Sequence, residues 1–514
     1  MPRFLIALFF SLAASAHGAD TFTFSNPPGA HAVGLRIVQQ YDRTRLYKGA
    51  VDLATGEPSQ GERTRPIQAL VWYPAARGGK PVRFRDYLDT IATEDDFTRD
   101  AAQVRRMTEL RIDANAGARR AALLRELARP MLAVRDARPA PGKYAVVIYA
   151  PSFSAAASEN TDLCEHLASL GYVVLASPSQ GAHARAMTID LEGLETQAAD
   201  IAWLIAHAGT LEQADTGRVA VVGFSWGGLA NVLAAAKDGR IRALVSLDGS
   251  VRSYPKFVDG GKDAASYVTP ARVAVPMLFL GQRPKTVEEL NRVETGTHFS
   301  FLNQMTYSDV INVSLLPMKH ADFSSYYLRV AQDDAFGDYT RDEIALAHSW
   351  AMRYVARFLD AYLKNDGAAL AFVTGTPAAN GAPPHMMVAD IRRAKAQAPT
   401  LDNFVARLAV TGFDQAIPVY RDFAARGLKL EPNAIAGWGD QLELLGRPAQ
   451  AREVFRLGTS LYPELGFLVD GLAQMQARTG QEQEALRSYR RLLELDPKHA
   501  DAAQYLKQHG GAAP

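Results

Sequence analysis

A serine stands where a strand-like run meets a helix-like run. The stretch VAVVGFSWGGLANVLAAA, Val219 to Ala236, puts Ser225 at that corner with Gly223, Gly227 and Gly228 around it. A turn this tight needs an unfavourable φ/ψ at its apex and small neighbours, so that strand and helix can close up. The pattern G-x-S-x-G in that setting is a nucleophile elbow. It presents the serine Oγ above a sheet, and the amide after the serine can serve an oxyanion. The plain alternative is a glycine-rich turn whose serine caps the helix. The strand before Ser225 and the helix after it favour the elbow, which then requires a base, an acid and a second amide.

The base must hold a pKa near neutrality to take the serine proton and return it, which selects histidine. Downstream of Ser225 stand His298, His320, His348, His385 and His499. His320 directly follows the strand-like INVSLLPM, in LLPMKHADF, where the C-terminal edge of a parallel sheet should lie. His298 falls in a polar loop before that strand, His348 inside a helical pattern, and the other two beyond the domain. His320 is therefore the expected base. The acid should leave the end of an earlier strand. LFLGQRPK offers no carboxylate before Glu288, whereas LVSLDGS offers Asp248 at once. Asp248 is the expected acid, with an Asp-Gly turn as the alternative. Asp309 precedes its strand, and Asp322 lies too close to His320 along the chain. The second amide is expected from the loop APSFSAAASEN, so the backbone N–H groups of Phe153 and Trp226 are the expected oxyanion donors.

The elements that must position these groups alternate. IQALVWYP (Ile67–Pro74), YAVVIYAPS (Tyr144–Ser152), YVVLASP (Tyr172–Pro178), RVAVVGFS (Arg218–Ser225), IRALVSLDG (Ile241–Gly249), VPMLFLGQ (Val275–Gln282) and INVSLLPM (Ile311–Met318) read as strands. Most are near-continuous apolar runs, as expected when both faces of a parallel sheet are covered. Helical patterns such as EGLETQAADIAWLIAHA lie between several of them. The fold class expected is α/β, a doubly wound and mostly parallel sheet over residues 20–374, followed by a small all-α domain. AHSWAMRYVARFLDAYLK, Ala347 to Lys364, closes the sheet domain as an amphipathic helix. A charged, helix-prone insertion at about 83–141 reads either as a lid or as a surface decoration.

TGTPAANGAPPH opens a stretch, 375–395, that reads as a linker. Beyond it, over 396–514, a period appears. Gly412, Gly446 and Gly480 recur at intervals of 34 residues, and so do the pairs Ala451/Ala485, Phe455/Tyr489 and Pro463/Pro497. A period of 34 with a turn glycine, a small alanine, an aromatic and a proline resembles the tetratricopeptide repeat. In the first unit Ala416 and Tyr420 fall one residue early. Such arrays bind peptides or proteins, or serve as structural appendages.

The chain has 514 residues, 48% hydrophobic and 22% charged, with a net charge of +1. The composition is that of globular domains, and the near-zero charge without long blocks of one sign argues against a nucleic-acid or anionic-membrane footprint. The opening MPRFLIALFFSLAASAHGAD has a basic Arg3, an apolar run Phe4–Ala14, and small Ala14 and Ala16 before a cut. Residues 1–19 are expected to be a secretory signal, which places the protein outside the cell or in a periplasm. No later apolar run reaches membrane length. Cys164 is the only cysteine, so no internal disulfide is expected, and a buried structural role is. No H-E-x-x-H, cysteine pair or dinucleotide fingerprint occurs, so neither a metal nor a cofactor is expected.

The segments RPIQALVWYP, VVIYAPSFSA, GFSWGG, LDGS and KHADF occur in an order that resembles the platelet-activating-factor acetylhydrolase and dienelactone-hydrolase-like group of α/β-hydrolases. The resemblance covers about Thr23 to Lys364. It implies a Ser225–Asp248–His320 triad and cleavage of a small-molecule carboxylic ester through an acyl-enzyme. An acid directly after the strand that follows the elbow is similar to the acetylhydrolase branch. Pro151 and Ser152 stand where that branch usually has a His-Gly pair, and Ser225 stands where dienelactone hydrolases use cysteine. An amidase or peptidase of the same fold, and a binding protein acting through its repeats, are the alternative readings.

Overall fold

The computed structural model describes residues 21–52, 55–258, 261–284 and 301–509. The expected leader, Glu288 and His298 lie outside these residues. The chain forms two compact units, 1–396 and 397–514. No helix among the described residues is long and apolar enough to cross a membrane.

The first unit is built on one sheet. Its strands are β1 (Ala32–Leu46), β2 (Thr64–Ala75), β3 (Pro81–Arg83), β4 (Pro130–Arg135), β5 (Tyr144–Ala150) and β6 (Tyr172–Ala176). They continue with β7 (Ala214–Phe224), β8 (Ile241–Leu247), β9 (Met277–Gly281), β10 (Val310–Leu315) and β11 (Met387–Arg392). Their spatial order is β11-β10-β9-β8-β7-β5-β6-β2-β1-β4-β3. The centre, β6 through β10, is parallel throughout. Antiparallel pairings appear toward the margins, between β6 and β2, β2 and β1, β4 and β3, and β10 and β11.

The centre is apolar because each strand is covered twice. Val219 and Val221 of β7 share a core with Ile201 and Leu204 of the helix Leu191–Ala208 and with Leu229 and Leu233 of the helix Trp226–Lys237. Ala220 and Val222, facing the other way, pack with Ala351, Val355 and Phe358 of the helix Arg341–Leu363. Successive side chains of a strand point to opposite faces, so two buried faces demand an unbroken apolar run.

Two expectations need correction. The stretch 375–395 is not simply a linker: Met387–Arg392 forms β11 and pairs with β10 from Leu315↔Met387 to Val310↔Arg392. Without it, β10 would present a row of unpaired N–H and C=O groups at the sheet edge. The 83–141 insertion is only partly helical. It contributes helices Phe84–Ile91, Ala101–Ala116 and Arg120–Ala128, but also β4, which pairs with β1, and Arg83, the end of β3. Its short strands carry little periodicity of their own and take their conformation from the neighbouring edge.

Among the described residues the second unit consists of helices joined by short turns: Leu401–Thr411, Ala416–Ala425, Pro432–Leu444, Pro448–Leu461, Gly466–Arg478, Glu482–Leu495 and Ala500–His509. The periodic glycines have a physical reason. Gly412, Gly446 and Gly480 adopt φ of 96°, 70° and 75°, positive values that glycine takes at helix ends without a Cβ clash. Phe455 is wedged against two further glycines, since a Cβ at Gly439 or Gly471 would come within 2.5 Å of its ring.

A buried ion cluster ties the insertion to the sheet unit. Arg329 is buried, and its guanidinium donates to Asp162 Oδ1 at 2.6 Å, to Asp162 Oδ2 at 3.2 Å and to Glu126 Oε2 at 2.5 Å. Burial raises the Asp162 carboxyl, but the Arg329 charge and hydrogen bonds together with the Ser325 hydroxyl outweigh it and hold that carboxyl below its ordinary range. Removing one partner from such a cluster leaves uncompensated charge in the interior, at a cost of about 3–5 kcal/mol. Arg329→Met should therefore lower unfolding stability by roughly that amount, read from the denaturant midpoint at neutral pH. Because the lowered Asp162 carboxyl contributes stability above its unfolded pKa, the gap to the parent should narrow as pH falls through the acid range. A variant within about 0.5 kcal/mol of the parent would show the cluster to be energetically idle.

Candidate active site

Ser225 occupies the junction between β7 and the helix Trp226–Lys237, with φ 53° and ψ −115°. A non-glycine residue there costs on the order of 1–3 kcal/mol, and the surroundings must over-determine it. They do. Ser225 N–H donates to Leu247 O at 3.0 Å, and its carbonyl accepts from Ser250 N at 2.8 Å and Gly228 N at 3.0 Å. The glycines allow this closeness. A Cβ on Gly223 would lie 2.2 Å from Gly227 O, one on Gly227 2.1 Å from Ala150 O, and one on Gly228 2.6 Å from Gly249 Cα.

The end of β8 carries Asp248, also at positive φ, 42°. Its N–H donates to Leu280 O of β9 at 2.6 Å. The carboxylate accepts from Gln282 N at 3.1 Å and Gln282 Nε2 at 2.6 Å, and faces His320 Nδ1 at 2.6 Å. His320 Nε2 lies 2.8 Å from Ser225 Oγ. A carboxylate can only accept, so it assigns the proton to Nδ1 and leaves Nε2 to accept the serine proton. His320 opens a short 3-10 turn, His320–Phe323, in the connection that leaves the end of β10, and its ring packs on Phe224 at 5.2 Å.

The other sequence candidates are occupied elsewhere. Asp322 accepts from Lys319 N at 2.7 Å and caps its own turn. Asp309 accepts from Tyr362 Oη at 2.8 Å and Ala394 N at 2.9 Å. His348 is fully buried in its helix, and burial lowers its pKa to about 4, so it stays neutral in the core. Cys164 is buried, as expected.

The strand order explains where these groups meet. β5 and β7 are neighbours, yet β6 lies on the far side of β5 and β8 on the far side of β7. The connections therefore diverge and leave a crevice at the carboxyl ends of β5 and β7. The loop after β5 carries Phe153, and the elbow after β7 carries Trp226. Among the described residues neither backbone N–H has a hydrogen-bond partner. Trp226 is the first residue of its helix, where N–H groups have no intrahelical acceptor and the dipole favours negative charge. The two side chains meet edge to face at 5.6 Å.

Sequence reasoning missed the supporting residues. Gln282, within LFLGQRPK, is neutral and has no motif around it, yet it holds Asp248 with two donors. Glu159, inside APSFSAAASEN, accepts from Ser152 N at 2.8 Å, from Ser152 Oγ and from Tyr149 Oη at 3.0 Å. Burial raises the Glu159 carboxyl, opposed by the Ser152 donors. A cleft of about 540 Å³ opens beside this loop, bordered by Ser154, Ala155, Glu159, Arg111, Arg185 and Tyr326.

Residues 132–279 match the Dienelactone hydrolase family. The matched stretch runs from within β4 into β9; it includes Ser225 and Asp248 and stops before His320. It supports an α/β-hydrolase for this part of the chain. Among solved structures, the chain is similar to a ferulic acid esterase from Streptomyces cinnamoneus, at 19% identity over 67% of this chain and 93% of that one, with a TM-score of 0.45. No curated protein matches the chain.

The elbow geometry generates a pair of contrasting substitutions. Gly227→Ala puts a Cβ 2.1 Å from Ala150 O and 2.7 Å from Pro151 O, so either β5 or the elbow must move. The expected cost is about 1–3 kcal/mol or more, the range of forced overpacking. At Gly239 a Cβ meets nothing within 4 Å, and Gly239→Ala should leave the unfolding midpoint unchanged. Equal effects from the two substitutions would contradict the close approach.

Proposed function

We propose that the chain is a serine hydrolase that cleaves a carboxylic ester through an acyl-enzyme. The observation that carries this reading is the unbroken series Ser225 Oγ, His320 Nε2, His320 Nδ1 and Asp248 Oδ2 at 2.8 and 2.6 Å. Ser225 Oγ attacks the acyl carbon as its proton passes to His320 Nε2. The carbonyl oxygen becomes an oxyanion facing the Phe153 and Trp226 amides. Collapse of the tetrahedral adduct breaks the ester C–O bond, and the alcohol leaves with the proton from His320. Water then repeats the sequence in reverse and releases the acid. Asp248 keeps the imidazole in the tautomer that accepts at Nε2 and stabilises the imidazolium. The same chemistry would serve an amide, and a panel of acyl esters against peptide amides separates the two.

Within this reading, residues 1–19 are a leader that exports the enzyme to a periplasm or the medium. The helical unit resembles tetratricopeptide repeats and would bind a protein or peptide. A scaffold without turnover is the rival from another class, and a fluorophosphonate probe distinguishes it: the hydrolase is labelled at Ser225, the scaffold is not.

Ser225→Ala should keep the unfolding midpoint near that of the parent and abolish both labelling and ester turnover. Asp248→Asn removes the charge but keeps the shape, and a loss of roughly 10²–10⁴ in turnover is expected from the wrong tautomer. Undiminished turnover in a folded Ser225→Ala protein would sink the proposal.

The catalytic groups proposed all precede Ala396, and β11 completes the sheet before it. A chain ending at Ala396 should hydrolyse an aryl acetate at a rate close to that of the whole protein. A soluble, monodisperse but inert truncate would assign the helical unit a part in turnover.

A further inference from the structure

The loop Pro151–Ser158, which carries the Phe153 amide, has few hydrogen bonds of its own and one strained residue. Ser154, next to Phe153, is a non-glycine residue at φ 55°. Its conformation is held from outside. Ser154 Oγ accepts from Met187 N at 2.9 Å, and its carbonyl accepts from Arg185 Nη1 at 3.1 Å. Pro151 O accepts from Gln197 Nε2 at 2.8 Å and Ser179 Oγ at 3.0 Å. Ala155 O accepts from Ser179 N at 2.9 Å.

Behind this loop lies Glu94, a carboxylate with no exposure at all, on the segment that follows the helix Phe84–Ile91. One oxygen accepts from Ala157 N at 2.8 Å, and the other accepts from Arg185 Nη2 at 2.8 Å. Its backbone carbonyl accepts from Gln180 Nε2 at 2.9 Å. Glu94 thus grips the loop directly at Ala157 and, through Arg185, at Ser154. Arg185 spends its other contacts on Ser154 O and on Ser179 O at 3.2 Å. A carboxylate this enclosed needs a cation beside it, and the half-buried Arg185 is the one in contact.

We propose that Glu94 is a positioning residue for the oxyanion site, acting through Arg185 and Ala157 to hold the Phe153 amide in its acceptor-free orientation. The inference rests on the hydrolase reading. It also gives the 83–141 insertion a role other than a lid or a decoration: the insertion buries a carboxylate under the loop that must not move. Burial raises the Glu94 carboxyl to about 7, against Arg185, the Ala157 amide and Arg111. Those partners oppose the burial that favours the neutral acid.

An amide that is ordered before the reaction stabilises charge only as it develops, so its loss lowers kcat more than it raises KM. The test compares the full-length parent with Glu94→Gln, which keeps the shape and removes the charge, in steady-state hydrolysis of an aryl acetate. The expected result is a fall in kcat of about ten- to hundredfold, less than the loss of a whole oxyanion donor, with KM within about twofold. Affinity for a trifluoromethyl ketone, whose serine adduct carries an oxyanion, should fall by the same factor as kcat/KM. Should Glu94→Gln fail to fold, Arg185→Gln breaks the same link from the partly exposed side and should give the same kcat-selective loss. Turnover within twofold of the parent in whichever variant folds would overturn the proposal. So would a rise in KM at constant kcat, which would make the pair part of a substrate pocket. Fluorophosphonate labelling of the parent at Ser225 keeps the two levels apart: a parent that neither labels nor turns over ester refutes the hydrolase reading, and this inference with it.

Discussion

The site depends on one close approach. The first turn of the helix Trp226–Lys237 lies against the ends of β5 and β7 with no side chain between them. Gly227 meets the Ala150 carbonyl, Gly223 meets the Gly227 carbonyl, and Gly228 meets Gly249. That contact forces Ser225 into left-handed φ, and the strain is balanced by the hydrogen bond Ser225 N–H donates to Leu247 O and by those its carbonyl accepts from Ser250 and Gly228. It also brings the elbow against the carboxyl end of β5, beside the loop that carries Phe153. A looser corner would leave Ser225 a surface residue and Trp226 an ordinary helix start.

Around that corner the polar groups form shells, each fixed by the next. Gln282 orients Asp248, Asp248 orients His320, and His320 reaches Ser225. Glu159 holds Ser152, and Glu94 with Arg185 holds Ser154 and Ala157. Buried carboxylates are costly unless several donors converge on them, and here each has at least two. The cost is repaid as rigidity, because a donor that would otherwise be lost to the interior resists displacement of the loop it belongs to. The same logic holds farther out, where Arg329 joins Asp162, at the start of the helix after the loop, to Glu126 in the insertion.

The central strands were legible because burial on both faces leaves a plain mark, a continuous apolar run. Each of the seven runs read as strands from Ile67 to Met318 overlaps one strand of the sheet, most running past its end. The margins were not legible. β1 contains Arg36, Gln39, Gln40, Asp42, Arg43 and Arg45, and β11 follows a glycine- and proline-rich stretch. An edge strand is shaped by the partner beside it more than by its own composition. Glu94 and Arg185 carry no mark at all: nothing in a charged, helix-prone segment distinguishes a carboxylate that will be buried from one that will face water.

Local sequence by itself determined the elbow, because the glycines around Ser225 act over a few residues through backbone sterics alone. It also determined the alternation that makes a parallel sheet with its carboxyl ends on one side, and so placed Asp248 and His320 at plausible strand ends. Only the tertiary structure decided that Asp248 and His320, 72 residues apart in the chain, come within 2.6 Å. It likewise decided which buried acids hold the loop opposite Ser225. Hydrogen bonds between distant segments depend on register and strand order, and these follow from the packing of the whole sheet.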